Sequence, residues 1–180
     1  LTSLFSSVTA RTAGFNTVDT GMLTDASKML TVILMFIGGS PGSTAGGVKT
    51  TTMIVIYLHL WSTIRRTYGV NAFGRRLEDD VLKQASAIFM INLTLALTVS
   101  LFIMATQKYP VMDVLFETFS AIGTAGMTTG ITRGLNAASR FAVVFLMYCG
   151  RVGSLSFALS FTQRKKVARV QQPVGRITIG

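Results

Sequence analysis

Residues 12–38 return almost in register 112 positions later, and a chain built from copies of one unit must fold by packing those copies together. Thr12-Ala13-Gly14 recurs as Thr124-Ala125-Gly126, and Thr17 as Thr129. Ala26-Ser27-Lys28 recurs as Ala138-Ser139-Arg140, Leu34-Met35 as Leu146-Met147, and Gly38 as Gly150. A Leu-Phe pair upstream, Leu4-Phe5 and then Leu115-Phe116, fits when one residue of gap is allowed. The repeated unit is a short apolar helix, a Thr/Gly loop too polar for lipid, and a long apolar segment.

The distribution of charge identifies the solvent. Hydrophobic residues make up 49% of the chain and charged residues only 13%, a balance unusual for a soluble domain. No charged side chain occurs from Gln84 to Thr106, from Phe141 to Cys149, or from Val152 to Gln163. Such runs are long enough, or nearly so, to cross a hydrocarbon core of roughly 30 Å. A further apolar stretch, 29–61, is interrupted at 38–49. The expectation is a multi-pass, all-α integral membrane protein. The opening residues align with the interior of a later helix and carry no cleavable signal pattern. The chain therefore reads as a piece of a longer protein, with a membrane helix expected before Leu1.

The net charge of +10 is concentrated in two clusters. Arg65, Arg66, Arg75, Arg76 and Lys83 form the first, and Arg164, Lys165, Lys166 and Arg169 the second. Each follows the second long segment of one copy, where basic residues mark the cytoplasmic side. This pattern argues against a nucleic-acid groove and for orientation in a membrane, with contact to anionic lipid. Cys149 stands alone in an apolar run, so no disulfide framework forms within the chain.

The predicted organisation is a short helix ending near residue 10, a polar loop (11–17), and a helix over 26–37. That helix breaks at 38–49 and resumes over 50–66. A cytoplasmic connection (67–83) leads to an outward helix over 84–106. A short re-entrant helix (111–122), its loop (123–130), a last helix over 138–162 and a tail (163–180) complete the chain. Residues 1–66 and 84–162 thus form two helix–pore-loop–helix units, the first lacking its leading helix.

The chemistry falls on the two TAG loops. Thr12-Ala13-Gly14-Phe15 and Thr124-Ala125-Gly126-Met127 carry no charged side chain to hold an ion. They offer backbone carbonyls, and glycine permits φ values that other residues resist. Rings of carbonyls can replace the hydration shell of a potassium ion, as in potassium channels. The preceding short helix would turn its negative C-terminal end toward the ion. Irregular backbone of this kind persists at membrane depth only beside protein or a water-filled path.

The motifs ARTAGFNTVD (10–19), GGSPGSTAGGVKTTT (38–52), AIGTAGMTTG (121–130) and GRVGSLSF (150–157) together resemble the Trk/Ktr/HKT potassium transporters. Within that superfamily the chain is most similar to the bacterial Ktr membrane subunit. The resemblance covers essentially the whole chain and implies a fold related to potassium channels, with four repeats around one pore. This chain would supply the last two repeats, and the N-terminal half of the same transporter the others. The resemblance implies that the TAG loops are two of four filter loops, with potassium as the transported ion and no covalent cofactor. It implies a flexible intramembrane gate at Gly38, Gly39, Ser40, Gly42, Ser43, Thr44, Gly46 and Gly47. It further implies a homodimer in the plasma membrane, sodium as an activating ion, and control by a cytosolic nucleotide-binding ring.

Arg151 is the sharpest single residue, because an arginine within an apolar helix belongs beside a water-filled cavity or a partner. The expectation is that it lies below the TAG loops and donates to carbonyls of the 38–49 loop, adding an electrostatic barrier. Two enzyme patterns overlap that loop. Gly38-Gly39-Ser40-Pro41-Gly42 matches a nucleophile elbow, and residues 42–50 approach a phosphate-binding loop. Neither has a preceding strand, and His59, the only histidine, lies in an apolar helix. An enzyme is not expected. The remaining alternative is a secondary transporter that binds an organic solute at the broken helix. Such carriers show inverted repeats, whereas both copies here end in basic clusters on one side.

Overall fold

The computed structural model describes residues 2–43, 45–65, 70–72 and 75–153. Among the described residues six α-helices carry the fold: α1 (Thr2–Thr9), α2 (Asp25–Phe36), α3 (Thr50–Ile64), α4 (Asp79–Thr106), α5 (Val111–Gly123) and α6 (Ala137–Val152). Short 3-10 turns at Thr20–Met22 and Ile131–Gly134 precede α2 and α6. The only strands among the described residues are a two-residue pair, β1 (Asn71–Ala72) and β2 (Arg75–Arg76), antiparallel in the connection between α3 and α4. Thr44, residues 154–162 of the expected last helix and the tail 163–180 lie outside the described residues.

The two copies are capped alike. Thr24 accepts a hydrogen bond from the Ser27 N–H ahead of α2, and Asn136 accepts from the Ser139 N–H ahead of α6. Both caps satisfy amides that a helix start leaves without partners. The far ends differ. α2 stops at Phe36, before Gly38, while α6 runs one turn further and stops at Gly153, whose φ of 92° suits glycine. The expected helix runs on to residue 162; its described part ends at Val152, with Gly153 as the cap.

α4 has 28 residues and, at 1.5 Å per residue, is about 42 Å long. Among the described residues it is the helix long and apolar enough to cross a bilayer. It begins five residues earlier than expected, because Asp79, Asp80 and Lys83 form a polar first turn that needs no apolar pattern. Its hydroxyls return to the helix: Thr94 donates to the Met90 carbonyl at 2.7 Å and Ser100 to Ala96 at 2.8 Å. α5, at 13 residues, is about 20 Å long and too short to span.

α5 is nonetheless the hub. It packs against α2, α4 and α6, and every residue from Phe116 to Gly123 is buried. Phe119 meets Phe36 edge-on at 5.4 Å between centroids, and Phe36 meets Phe89 of α4 in the same way at 5.6 Å. Ser100 and Thr118 share a buried hydrogen bond of 2.7 Å between α4 and α5. Two crossings exclude any side chain. A Cβ on Gly123 would sit 2.5 Å from the Met35 carbonyl oxygen, and one on Gly150 would sit 2.1 Å from that of Ile122.

Charge fixes the outer end of this core. Lys28 Nζ of α2 lies 2.8 Å from Asp113 Oδ1 in the first turn of α5, with side-chain exposures of 9% and 15%. At the other end of α3, Tyr57 stacks near Trp61, and the Arg65 guanidinium lies 4.7 Å over the Trp61 ring. Aromatic and basic residues grouped in this way suit a membrane–water boundary. Removing one member of a largely buried ion pair leaves the other charge unpaired. Lys28→Met in the full-length protein is expected to lose about 2–3 kcal/mol, discounted for the partial exposure of Asp113. Thermal unfolding in detergent checks this, and Lys28→Met combined with Asp113→Leu should recover most of the loss.

Candidate functional site

The TAG loops begin where α1 and α5 end, and both enter through a strained residue. Thr12 and Thr124 have φ of 70° and 51°, left-handed values that a β-branched side chain resists. Gly14 and Gly126 follow with φ of 73° and 80°. Strain at matching positions of two copies is held by matching clamps. Thr9 Oγ1 donates to the Phe15 carbonyl at 2.7 Å and accepts from the Phe15 N–H at 2.9 Å. Ser120 Oγ donates to the Met127 carbonyl at 2.6 Å. Thr9 and Ser120 correspond only if the single-residue gap is allowed, because the second copy spends one more residue between clamp and loop.

The structure brings the two loops together. A Cβ on Gly14 would lie 2.6 Å from the Ala125 carbonyl oxygen, and one on Gly126 would lie 3.9 Å from Gly14 Cα. Among the described residues, the carbonyls of Thr12, Ala13, Gly14, Thr124, Ala125 and Gly126 accept no hydrogen bond. Those of Phe15 and Met127 do, so these two residues anchor the loops at their outer ends. The Phe15 side chain is exposed, while Met127 is buried against the core. No cluster of three His, Cys, Asp or Glu side chains that could hold a metal ion occurs among the described residues.

Below the TAG loops the 38–49 segment folds as a narrow-necked excursion between α2 and α3. Ile37 and Val48 pair across the neck, with Gly38 N–H donating to the Val48 carbonyl at 2.8 Å. Val48 N–H donates to Phe36 at 3.2 Å and Thr50 N–H to Gly39 at 3.3 Å. Gly38 is required there, since a Cβ would lie 2.2 Å from the Gly46 carbonyl oxygen. Ser40, Gly42 and Ser43 form the exposed tip, with Gly39 and Gly47 half-buried beside it. Lys49 folds back over the loop, donating to the Ser43 carbonyl at 3.1 Å and, more closely, to that of Ala45.

The segment touches a TAG loop directly. Gly46 N–H donates to Thr124 Oγ1 at 2.8 Å, across 78 residues of sequence. A Cβ on Gly46 would lie 2.6 Å from Thr124 Cγ2. Arg151 stands between the two levels. It lines a cavity of about 310 Å³ with Thr12, Thr124, Gly126 and Met147, and a second of about 240 Å³ with Ser43, Gly46, Gly47 and Lys49. Arg151 thus lies beside both the TAG loops and the 38–49 segment, whose Ser43 and Ala45 carbonyls accept from Lys49.

Sequence reasoning missed several residues of this site. Glu117, 5% exposed in α5, receives hydrogen bonds from the Thr128 and Thr132 hydroxyls behind the second TAG loop. A lone acid in an apolar helix is itself a signal and could have been read. Thr9 and Ser120 were hidden by the gap in the repeat, and Lys49 by its position at the end of the break.

Residues 1–169 match the model of the TrkH family, described as a cation transport protein. The chain belongs to this family. It is 34% identical over 178 residues to the Ktr system potassium uptake protein B of Bacillus subtilis (strain 168), covering 99% of this chain and 40% of that protein. It is also 34% identical over 184 residues to the potassium/sodium uptake protein NtpJ of Enterococcus hirae, covering 99% of this chain and 41% of the relative. Over 158 residues, 88% of this chain and 35% of the relative, it is 34% identical to the Ktr system potassium uptake protein B of Vibrio alginolyticus. The chain thus spans about two fifths of the length of the first relatives, aligning with their C-terminal part. Membership of a cation transporter family fits the long apolar helix and the apolar surfaces left on α2, α3 and α6.

If Thr124 holds the 38–49 loop through Gly46, Thr124→Val in the full-length protein should release it. One lost hydrogen bond of about 1 kcal/mol predicts roughly fivefold faster amide exchange at Gly46, measured by hydrogen–deuterium exchange.

Proposed function

We propose that this chain forms the C-terminal half of a multi-pass plasma-membrane transporter that conducts potassium through a carbonyl-lined filter. The two TAG loops supply half of that filter. The observation that carries the reading is the apposition of Gly14 and Gly126, with six neighbouring carbonyls accepting no hydrogen bond among the described residues. Carbonyl oxygens in this arrangement replace the water that a potassium ion sheds on entry. The buried helix α5 adds its negative C-terminal end at Gly123, next to the loop. Two relatives named as potassium uptake proteins and one named as a potassium/sodium uptake protein support the choice of ion.

The 38–49 loop acts as the gate beneath the filter. Its bond to Thr124 lets a movement of the loop be felt at the filter without any change in the core helices. Arg151, lining the cavities on both levels, places a positive charge in the path that a cation must take. The remaining filter loops come from the N-terminal half of the same transporter. Assembly as a homodimer with a cytosolic nucleotide-binding ring, and activation by sodium, belong to the same proposal and follow the resemblance.

Calorimetry on the complete transporter with potassium, rubidium and sodium in turn tests the filter. The wild type should bind potassium and rubidium more tightly than sodium. Gly126→Ser has room for its Cβ, with Gly14 Cα 3.9 Å away, but places an L side chain at φ of 80° on the loop. It should fold and lose about tenfold of the preference, equivalent to about 1.4 kcal/mol. Equal binding of all three ions by the wild type would remove the filter assignment. A separate rubidium-uptake assay tests the arginine: Arg151→Gln should raise flux, and unchanged or lower flux from a well-folded variant would contradict a barrier role.

A further inference from the structure

Glu117 lines a cavity with Gly126 and Met127 of the second TAG loop, and carbonyl coordination by the proposed filter does not itself require a buried acid there. Its burial at 5% exposure therefore needs another account. The carboxylate is met by two hydroxyl donors from the arm that follows the second TAG loop. Thr128 Oγ1 donates to Oε1 at close range, and Thr132 Oγ1 lies 3.0 Å from both oxygens. Thr128 Oγ1 also accepts from the Gly130 N–H at 2.9 Å, which closes the turn. Arg133 and Arg140 share the adjoining cavity of about 550 Å³, yet among the described residues no ion pair joins them to Glu117. Arg140 instead donates to the Arg133 carbonyl at 2.7 Å.

The network continues into the first copy. Thr20 Oγ1 donates to the Thr128 carbonyl, so the arm after the first TAG loop hangs on the residue that Glu117 fixes. Gly21 lies against the Thr129 carbonyl at the same junction, its Cβ position 3.1 Å away. Among the described residues the first copy shows no such anchor of its own. With the one-residue gap allowed, Ser6 occupies the position of Glu117, and its exposed hydroxyl returns to the Thr2 carbonyl of α1. One buried carboxylate thus holds the outer arms of both loops.

We infer that Glu117 is a positioning residue that sets the spacing of the two TAG loops through Thr128 and thereby sets potassium-over-sodium discrimination. The inference rests on the filter reading above. A carbonyl cage discriminates a larger from a smaller ion only while its frame resists closing, and two hydroxyls directed at one fixed charge supply that resistance.

The test uses potassium and sodium titrations of the complete transporter by calorimetry, with the unfolding midpoint of each variant as a control. Glu117→Gln keeps the shape and removes the charge, while Thr128→Val removes one hydroxyl. Each should narrow the potassium-to-sodium affinity ratio about tenfold, and the double variant should narrow it no further, because the two residues act as one unit. Thr128→Ser, which keeps the hydroxyl, should retain the wild-type ratio. An unchanged ratio in Thr128→Val, or additive losses in the double variant, would overturn the inference. If Glu117→Gln does not fold, the contrast between Thr128→Val and Thr128→Ser decides alone. A wild type without preference would instead defeat the filter reading on which this one rests.

Discussion

Backbone that leaves the helix inside a bilayer can satisfy its polar groups only with protein, with water in a cavity or with an ion. The described fold is organised around that constraint. Helical segments meet it internally, and α4 extends the solution to its side chains by turning serine and threonine hydroxyls back to its own carbonyls. The three irregular segments cannot, and each is surrounded by specific donors and acceptors. Thr9 and Ser120 clamp the outer ends of the TAG loops. Lys49 and the Ile37–Val48 pairing take up the 38–49 loop, and Thr124 takes up its Gly46 amide. What remains is a set of TAG carbonyls without hydrogen bonds among the described residues. That remainder coincides with the residues that the transport reading requires.

Packing and function are joined at α5. Glycines at 123 and 150 let α2 and α6 approach its backbone more closely than any side chain would permit. Small residues at helix contacts serve this purpose where lipid supplies no hydrophobic drive for association. The same closeness brings the 38–49 loop under Thr124, so the gate and the filter of the proposed pathway share a boundary. Among the described residues one hydrogen bond, from Gly46 to Thr124, joins this loop to the TAG loops, which makes it the proposed movable part beside the packed core helices.

Much of this was legible in the sequence because glycine interrupts apolar periodicity at the places that matter. The TAG loops and the 38–49 break were located to within a residue or two by that signal alone, and the matching caps at Thr24 and Asn136 follow the same repeat. The Lys28–Asp113 pair was not legible, since it joins residues 85 apart and depends on how α2 packs on α5. The clamps were masked by a one-residue insertion, which slips Ser120 out of register with Thr9. Glu117 was passed over for a different reason: its signal was a single charge, and its meaning came only from the threonines that fold back onto it.

The central claim is that a cation sits between the two TAG loops on backbone oxygens. The most direct measurement is anomalous diffraction from crystals of the complete transporter grown in rubidium, compared with crystals grown in sodium. The account predicts a rubidium peak bounded by carbonyls of 12–14 and 124–126 and absent from the sodium crystals. Rubidium bound elsewhere, or no peak at these loops while uptake activity is intact, would contradict it.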